Sequence, residues 1–485
     1  MAKLILFGCG GVGCALLEML WTPWAKKKFP VKNICIFDPR DLSSEPKVFQ
    51  LIKKGVVKHI QIEITKGNLL PLLEDNVRPK DIIVDVSYNI YFKPLIQWCI
   101  NHNVRYINTS MERWPIKNEN ILGKNLYKRT LYHLHEIVKK MNKEDKQYPT
   151  VVVEHGMNPG LITHFTKQGI KNVAKEVIDK AKQNRTKNKK IISLIKAYKK
   201  DNFPLMGFLL GLETVHCSER DTQISNVERR SQEFMNTWGA YSFYGEGVDP
   251  VQLGYGTHER RLHNSSHPPK GLEQNQIFLP IRGVDLILQS YVPIEKGTIH
   301  GMAISHGEND TIGRSLSLYK NKKLIYRPSN YYVYSPCEEA WNSIKEVQQN
   351  KYKMLETQHP LRGWEISSGV DAVGALLIFK HDPIEYLLYN KEGSTTSYWA
   401  GTILSIDEVR DLGIQYAGPT VIQVAISLIA VLVWIKQNPN NGICFPEDLP
   451  YDWVLDFCHQ WLGTVFMDWV PYSPKSTQLE AFLTD

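Results

Sequence analysis

Through the first 160 residues, short runs of Ile, Val, Leu and Phe alternate with stretches whose apolar positions recur every three or four residues. Residues 3–7, 33–37, 59–64, 81–86, 105–108 and 150–154 are predicted strands, and residues 12–20, 46–54, 91–101 and 126–141 are predicted helices between them. Near-continuous apolar strands are buried on both faces, so this alternation predicts a parallel, doubly wound α/β sheet with helices on either side. After residue 160 the pattern changes. Residues 161–205 read as helical and polar. Gly, Pro and β-type runs then dominate residues 214–334, with predicted strands at 277–281, 285–291 and 316–319 and further ones at 375–380, 384–390 and 397–403. Residues 261–274 have no periodicity and read as an exposed loop. Helical signal returns at 419–437 and 451–462. The expected division is a nucleotide-binding domain (1–157), an α+β domain for substrate contacts and dimerisation (158–410), and C-terminal helices (411–485) packing back on the first domain.

Composition narrows this picture. With 485 residues, 43% hydrophobic and 22% charged, the chain is expected to fold around real cores. Its eight cysteines are scattered without a C-x-x-C pair, which argues against a disulfide framework or a zinc module. They suit a reducing compartment, and a cytoplasmic location is expected. The N-terminal apolar run turns into glycines too soon for a signal-peptide core. The apolar stretch 421–435, interrupted by Gln423 and Ser427, falls short of the ~20 residues that span a bilayer, so it reads as a buried helix and no membrane span is expected. The net charge of +8 suggests nucleic acid until its distribution is considered. Residues 167–200 hold twelve Lys and Arg against Glu176 and Asp179, and account for the whole excess. Such a run, nearly free of aromatic residues apart from Tyr198, is a solvated face, and no nucleic-acid partner is expected.

The candidate chemistry begins at Gly8-Cys9-Gly10-Gly11-Val12-Gly13, between the first predicted strand and helix. A Rossmann turn needs Gly8 for the bend, Gly10 for approach of the pyrophosphate and Gly13 for helix packing. Asp38 ends the second strand, 25 residues after Gly13, where a carboxylate accepts from ribose hydroxyls and repels a 2′-phosphate. NAD is therefore expected over NADP, with Arg40 as the residue that argues the other way. Ligands in such sheets bind beyond the carboxyl ends of the strands. Those ends carry Ser87 and Asn89, the segment from Asn108 through Thr109 to Glu112, and His155 to Asn158. Asn158, before Pro159, is equally readable as a helix cap.

The second half concentrates acids around aromatic residues: Glu219-Arg220-Asp221-Thr222-Gln223, Asn236-Thr237-Trp238, Glu246, His306-Gly307-Glu308 and Asp371. Carboxylates pair with ammonium groups and an indole face attracts cations, so the set suits an amine ligand. Taken singly, each residue is equally readable as salt bridge or core.

Together with Leu253-Gly254-Tyr255-Gly256-Thr257, Tyr326-Arg327-Pro328, Tyr334-Ser335-Pro336-Cys337, Asn438-Pro439-Asn440-Asn441-Gly442 and Asp468-Trp469, these runs resemble the bacterial-type homospermidine synthases. Saccharopine-dehydrogenase-like enzymes are the wider relatives. The resemblance implies an NAD-dependent aminobutyl transfer by a homodimeric cytoplasmic enzyme. Two putrescines, or spermidine and putrescine, would give sym-homospermidine with release of ammonia or 1,3-diaminopropane. It implies that Trp238 is the cation–π partner and that Asn158 and Glu219 hold the reacting amine. Glu112, Glu246, Asp371 and Glu308 would hold distal ammonium groups, and His306 would manage protons. Asn89 stands where an Asp is expected in relatives. Two alternatives stay open: a C–N reductase of the same fold that condenses an amine with a semialdehyde, and a non-catalytic NAD-binding regulator.

Overall fold

The computed structural model describes residues 2–115, 122, 126–142, 148–261, 274–294 and 296–484. Strands β1 (Leu4–Phe7), β2 (Ile34–Asp38), β3 (Val57–Gln61), β4 (Ile82–Asp85), β5 (Arg105–Asn108) and β6 (Val151–Val152) form one parallel sheet in the order 6-5-4-1-2-3. Within β1, Leu4 and Leu6 face one apolar core while Ile5 and Phe7 face another, which is why the strand is apolar throughout. The third strand sits two to three residues earlier than residues 59–64. The sixth is shorter than residues 150–154, because Glu154 has a left-handed backbone (φ 55°) that ends the pairing. A seventh parallel strand, Ile443–Cys444, comes from near the C-terminus and extends the sheet beyond β6.

The second sheet centres on β7 (Leu212–Asp221), flanked by β8 (Ser329–Ser335), which pairs parallel with it, and β9 (Val370–Phe379), which pairs antiparallel. Two elements depart from expectation. Residues 384–390, expected as a strand, form the helix Pro383–Tyr389. Asp382 caps it by accepting from the N–H groups of Ile384 and Glu385 at 2.8 and 3.1 Å, and Pro383 occupies the first helical position. The 161–205 segment is helical but not polar all round. Its long helix Leu161–Gln183 buries Ile162, Phe165, Ile170, Val173 and Val177 in the main core and turns Lys175, Lys180 and Lys182 outward, while Lys167 is buried and donates to the Glu447 carbonyl at 2.7 Å. Of the expected loop at 261–274, residues 262–273 lie outside the described residues.

Helix α1 (Gly11–Leu20) packs against the helix Pro419–Gln437, which also reaches β9. By length and composition that second helix could cross a membrane; here it is buried along most of its length, as expected for a helix apolar all round.

Candidate active site

At the glycine turn, backbone packs on backbone. A Cβ on Gly8 (φ 83°) would stand 2.9 Å from the Ser87 Cα, and one on Gly13 would stand 2.5 Å from the Gly8 carbonyl oxygen. Gly10 is different: nothing lies within 4 Å of where its Cβ would be, and it precedes α1 without a side-chain cap. The first N–H groups of α1 therefore border open space, a cradle that fits the pyrophosphate of a dinucleotide. Gly11 begins the helix and Val12 is half-buried against the main core. Two substitutions should behave oppositely. Gly13→Ala is expected to destabilise the fold by roughly 1–3 kcal/mol through overpacking. Gly10→Ala is expected to leave Tm unchanged while weakening NAD at least about tenfold, because its methyl would meet only the ligand. Thermal denaturation and a fluorescence titration with NAD check both.

Around this cradle, Ser87 donates its hydroxyl to Asp85 at 2.5 Å, and the Thr109 methyl lies 3.7 Å from the position of a Gly156 Cβ. Asp38 ends β2 and is bound by Cys9 and Arg40.

The acidic cluster is built by strand register. The two-residue period of β7 puts Cys217, Glu219 and Asp221 on one face. Parallel pairing sets Tyr332 beside Cys217 and Tyr334 beside Glu219, while β9 places Asp371 opposite Asp221. The turn after β6 then delivers Asn158, whose peptide to Pro159 is cis. Its amide donates to the Glu219 carboxylate at 2.5 Å and to the Tyr332 hydroxyl at 2.9 Å, and that hydroxyl donates to Glu219 at 2.5 Å. The helix that follows starts at Leu161 after Gly160 with no side-chain cap, so capping is not what Asn158 does.

Trp238 is half-buried and donates its indole N–H to the Tyr334 hydroxyl at 2.9 Å. The His306 ring lies 4.3 Å from the Tyr332 ring and spans Glu308 at 3.0 Å and Glu246 at 3.3 Å. Asn158, Glu219, Trp238, His306, Glu246 and Glu308 are thus one connected group. Glu112 borders it, with Ser110 donating to its carboxylate at 3.2 Å. Asn89 (φ 66°) joins through its backbone, which bonds Glu112. Asp38 makes no described contact with this group.

Burial sets the electrostatics. It pushes Glu219 up to about 7 against the hydrogen bonds from Tyr332 and Asn158, and Asp221 up to about 6. Burial, reinforced by the Glu246 charge, brings Glu112 to about 8. Asp371 is fully buried, and burial together with the Glu219 and Asp221 charges pushes its carboxyl well up, against the side chain of Thr420 beside it. His306 goes the other way from an ordinary buried histidine, because Glu308 and Glu246 outweigh burial and hold it protonated. Such a cluster is short of positive charge.

Sequence reasoning missed Tyr332 and gave Tyr334 only as part of a family-like run, although their two-residue spacing in a β-type run was a visible signal. It also missed His135, fully buried on the helix Leu131–Met141. Its ring bridges Glu154 at 2.6 Å and Asp310 at 2.7 Å, joining the end of β6 to the helix Glu308–Ser315 that begins at the His306 turn. Burial opposes the charge, but the two carboxylates raise its pKa to about 9. A histidine whose pKa is raised on folding stabilises fully below its unfolded value and loses that contribution as pH climbs through the folded one. Between pH ~6.5 and about 9 the protein should therefore lose on the order of 3 kcal/mol from this group. His135→Gln should show that loss already at neutral pH and lack the slope, as urea unfolding across the range would test.

Comparison with known proteins shows which chains this one is similar to. The homospermidine synthase of Mesorhizobium japonicum is 28% identical over 484 residues, covering 96% of this chain and 90% of its own length. That of Blastochloris viridis is 26% identical over 492 residues, covering 97% and 92%. The crystal structure of a homospermidine synthase from Legionella pneumophila in complex with NAD superposes with a TM-score of 0.80 at 26% identity, covering 100% of this chain and 98% of that one. Residues 4–153 match the saccharopine dehydrogenase NADP binding domain and residues 156–465 match the saccharopine dehydrogenase C-terminal domain. With both matches in chain order across nearly its whole length, this chain belongs to the saccharopine dehydrogenase family.

Proposed function

We propose that the chain is an NAD-dependent homospermidine synthase, transferring an aminobutyl group from putrescine or spermidine to putrescine and releasing ammonia or 1,3-diaminopropane. The supporting observation is the hydrogen-bonded group of Asn158, on the turn that leaves β6, with Glu219 of β7 and Tyr332 of β8, beside an indole and several buried carboxylates. Bound NAD would take a hydride from the amine-bearing carbon and return it after amine exchange, so no net oxidation occurs.

The chain's own residues account for the rest. A diamine enters as a dication, and buried carboxylates offset its lost hydration. Asn158 and Glu219 fix the reacting nitrogen. Glu219, with a pKa of about 7, takes the proton that the ammonium group must lose before its carbon can give hydride. Glu112, Glu246, Glu308 and Asp371 hold the distal ammonium groups, with Asn89 at the rim. The Trp238 face stabilises the cationic intermediates and offers them no nucleophile. His306, held protonated between Glu246 and Glu308, supplies a proton to the departing amine.

A C–N reductase that condenses an amine with a semialdehyde would need a cationic clamp for a carboxylated substrate. The guanidinium of Arg220, within the acidic motif, donates instead to the backbone carbonyls of Asp221 and Pro336. Incubation with NAD and putrescine alone tests the proposal: homospermidine and ammonia should appear without net NADH. An untouched diamine would refute it. A homodimer and a cytoplasmic setting belong to the same proposal. Eight free, buried cysteines suit a reducing compartment, and light scattering in solution tests the dimer.

A further inference from the structure

The turn that leaves β6 carries a second side chain toward the acidic cluster. Glu154, four residues before Asn158, is buried and has a left-handed backbone (φ 55°), uncommon for a residue with a side chain. Its backbone N–H donates to the Asn108 side chain at 2.8 Å, and the His155 N–H donates to the Asn108 carbonyl at 2.9 Å. Gly156 then donates its N–H to the Pro159 carbonyl at 2.7 Å, closing the loop that presents Asn158. Glu154 and Asn158 are fixed to each other by this backbone, so whatever Glu154 touches is placed relative to Glu219.

It touches Gly307, the residue between His306 and Glu308. A Cβ there would fall on the Glu154 carboxylate, 2.9 Å from Cδ and 3.3 Å from Oε1. The backbone of Gly307 (φ −63°, ψ −33°) is open to any residue, so the contact and not the conformation calls for glycine. His135 holds the carboxylate in place. Both its ring nitrogens face carboxylates, Glu154 at 2.6 Å and Asp310 at 2.7 Å, so both donate. The Asp310 N–H donates to the Gly307 carbonyl at 3.0 Å, and its side chain accepts from Arg314 at 2.6 Å and Asn275 at 2.7 Å. The His306 turn is thus gripped at Gly307 by Glu154 and at Asp310 by His135. Among the described residues, neither gripping side chain makes a hydrogen bond to His306, Glu308 or Glu246.

We propose that Glu154, held by His135, is a positioning residue: it seats Gly307 and so fixes where the His306 ring stands relative to the nitrogen that Asn158 and Glu219 hold. The inference rests on the reading of His306 as the proton donor in aminobutyl transfer. The test is a double-mutant cycle on Gly307→Ala and Glu154→Ala in the full-length protein, with putrescine and NAD. Each single substitution should lower kcat by about 10–100-fold, the cost of a misplaced group, and leave KM within about threefold. The double variant should fall no further than the weaker single one, within about threefold, because removing the Glu154 side chain removes what the new methyl strikes. Glu154→Asp, one methylene shorter and still charged toward His135, carries the cycle if Glu154→Ala does not fold. Losses that multiply in the double variant would overturn the proposal, as would wild-type kcat in Gly307→Ala. A readout without substrate separates this inference from the reaction itself. Gly307→Ala changes no charge, so in histidine NMR the His306 signal should titrate lower by about one pH unit only if its contacts with Glu246 and Glu308 loosen. An unmoved His306 titration would overturn the seating even in an active enzyme, whereas a wild type that leaves putrescine untouched while His306 shifts would overturn only the aminobutyl-transfer reading.

Discussion

Trp238→Ala is expected to abolish turnover while the protein still binds NAD. The indole is tied to Tyr334 by its N–H, and its ring lies 5.6 Å from Phe243, so its face is held in one orientation at the edge of the acidic pocket. A desolvated cation–π contact is worth about 2 kcal/mol or more, which alone is roughly 30-fold in rate. Truncation also admits water, which weakens the attraction between the carboxylates and the cation they hold. The combined loss in kcat should be at least about a hundredfold. Trp238→Phe keeps a ring face, loses the hydrogen bond to Tyr334, and should retain intermediate activity. Steady-state rates with putrescine, alongside a fluorescence titration with NAD, distinguish these outcomes. Full activity in the alanine variant would remove the indole from the mechanism.

The second large effect belongs to Glu219→Gln. Glutamine keeps the size of the side chain but cannot accept a proton from the reacting ammonium. Loss of a positioned general base typically costs about 10²–10⁴ in rate. The effect should fall on kcat more than on KM, because Glu112, Glu246, Glu308 and Asp371 still hold the distal charge. The pH profile supplies an independent check. A carboxylate base works above its pKa, so wild-type kcat should fall as pH drops through about 7, and the variant should lose that limb. Stability should move the other way. The Glu219 carboxyl is raised on folding, so its ionisation disfavours the folded state as pH rises from ~4.3 to about 7. Glu219→Gln should therefore be as stable as the wild type or more so at neutral pH. An unchanged rate would make Glu219 a structural residue.

Much of the nucleotide half was legible because its signals are local. Apolar runs at strand length, a glycine turn directly after β1 and an acid at the end of β2 need only neighbouring residues to be read. The same locality explains the error at 384–390: Ile384, Leu387 and Leu388 suit either period, and the deciding signal was the Asp382-Pro383 cap just outside the run. The acids of the second half were visible as a cluster in composition, but their pairings were not. Tyr332 bonds Glu219 across 113 residues of sequence, and His135 joins carboxylates 19 and 175 residues away.

By itself, then, the order of residues determined the alternating strands and helices of the nucleotide half, the glycine turn that a dinucleotide would need, and that acids and an indole cluster in the second half. Periodicity, turn chemistry and charge are properties of short windows. Only the folded chain decided that Asn158 abandons the helix start for Glu219, that His306 is held protonated between two carboxylates, and that Arg40 covers Asp38. The first two depend on burial and on segments distant in sequence, and the third on the Cys9 backbone of the glycine turn, 31 residues from Arg40; a charge or an amide acquires its role only from its neighbours in space.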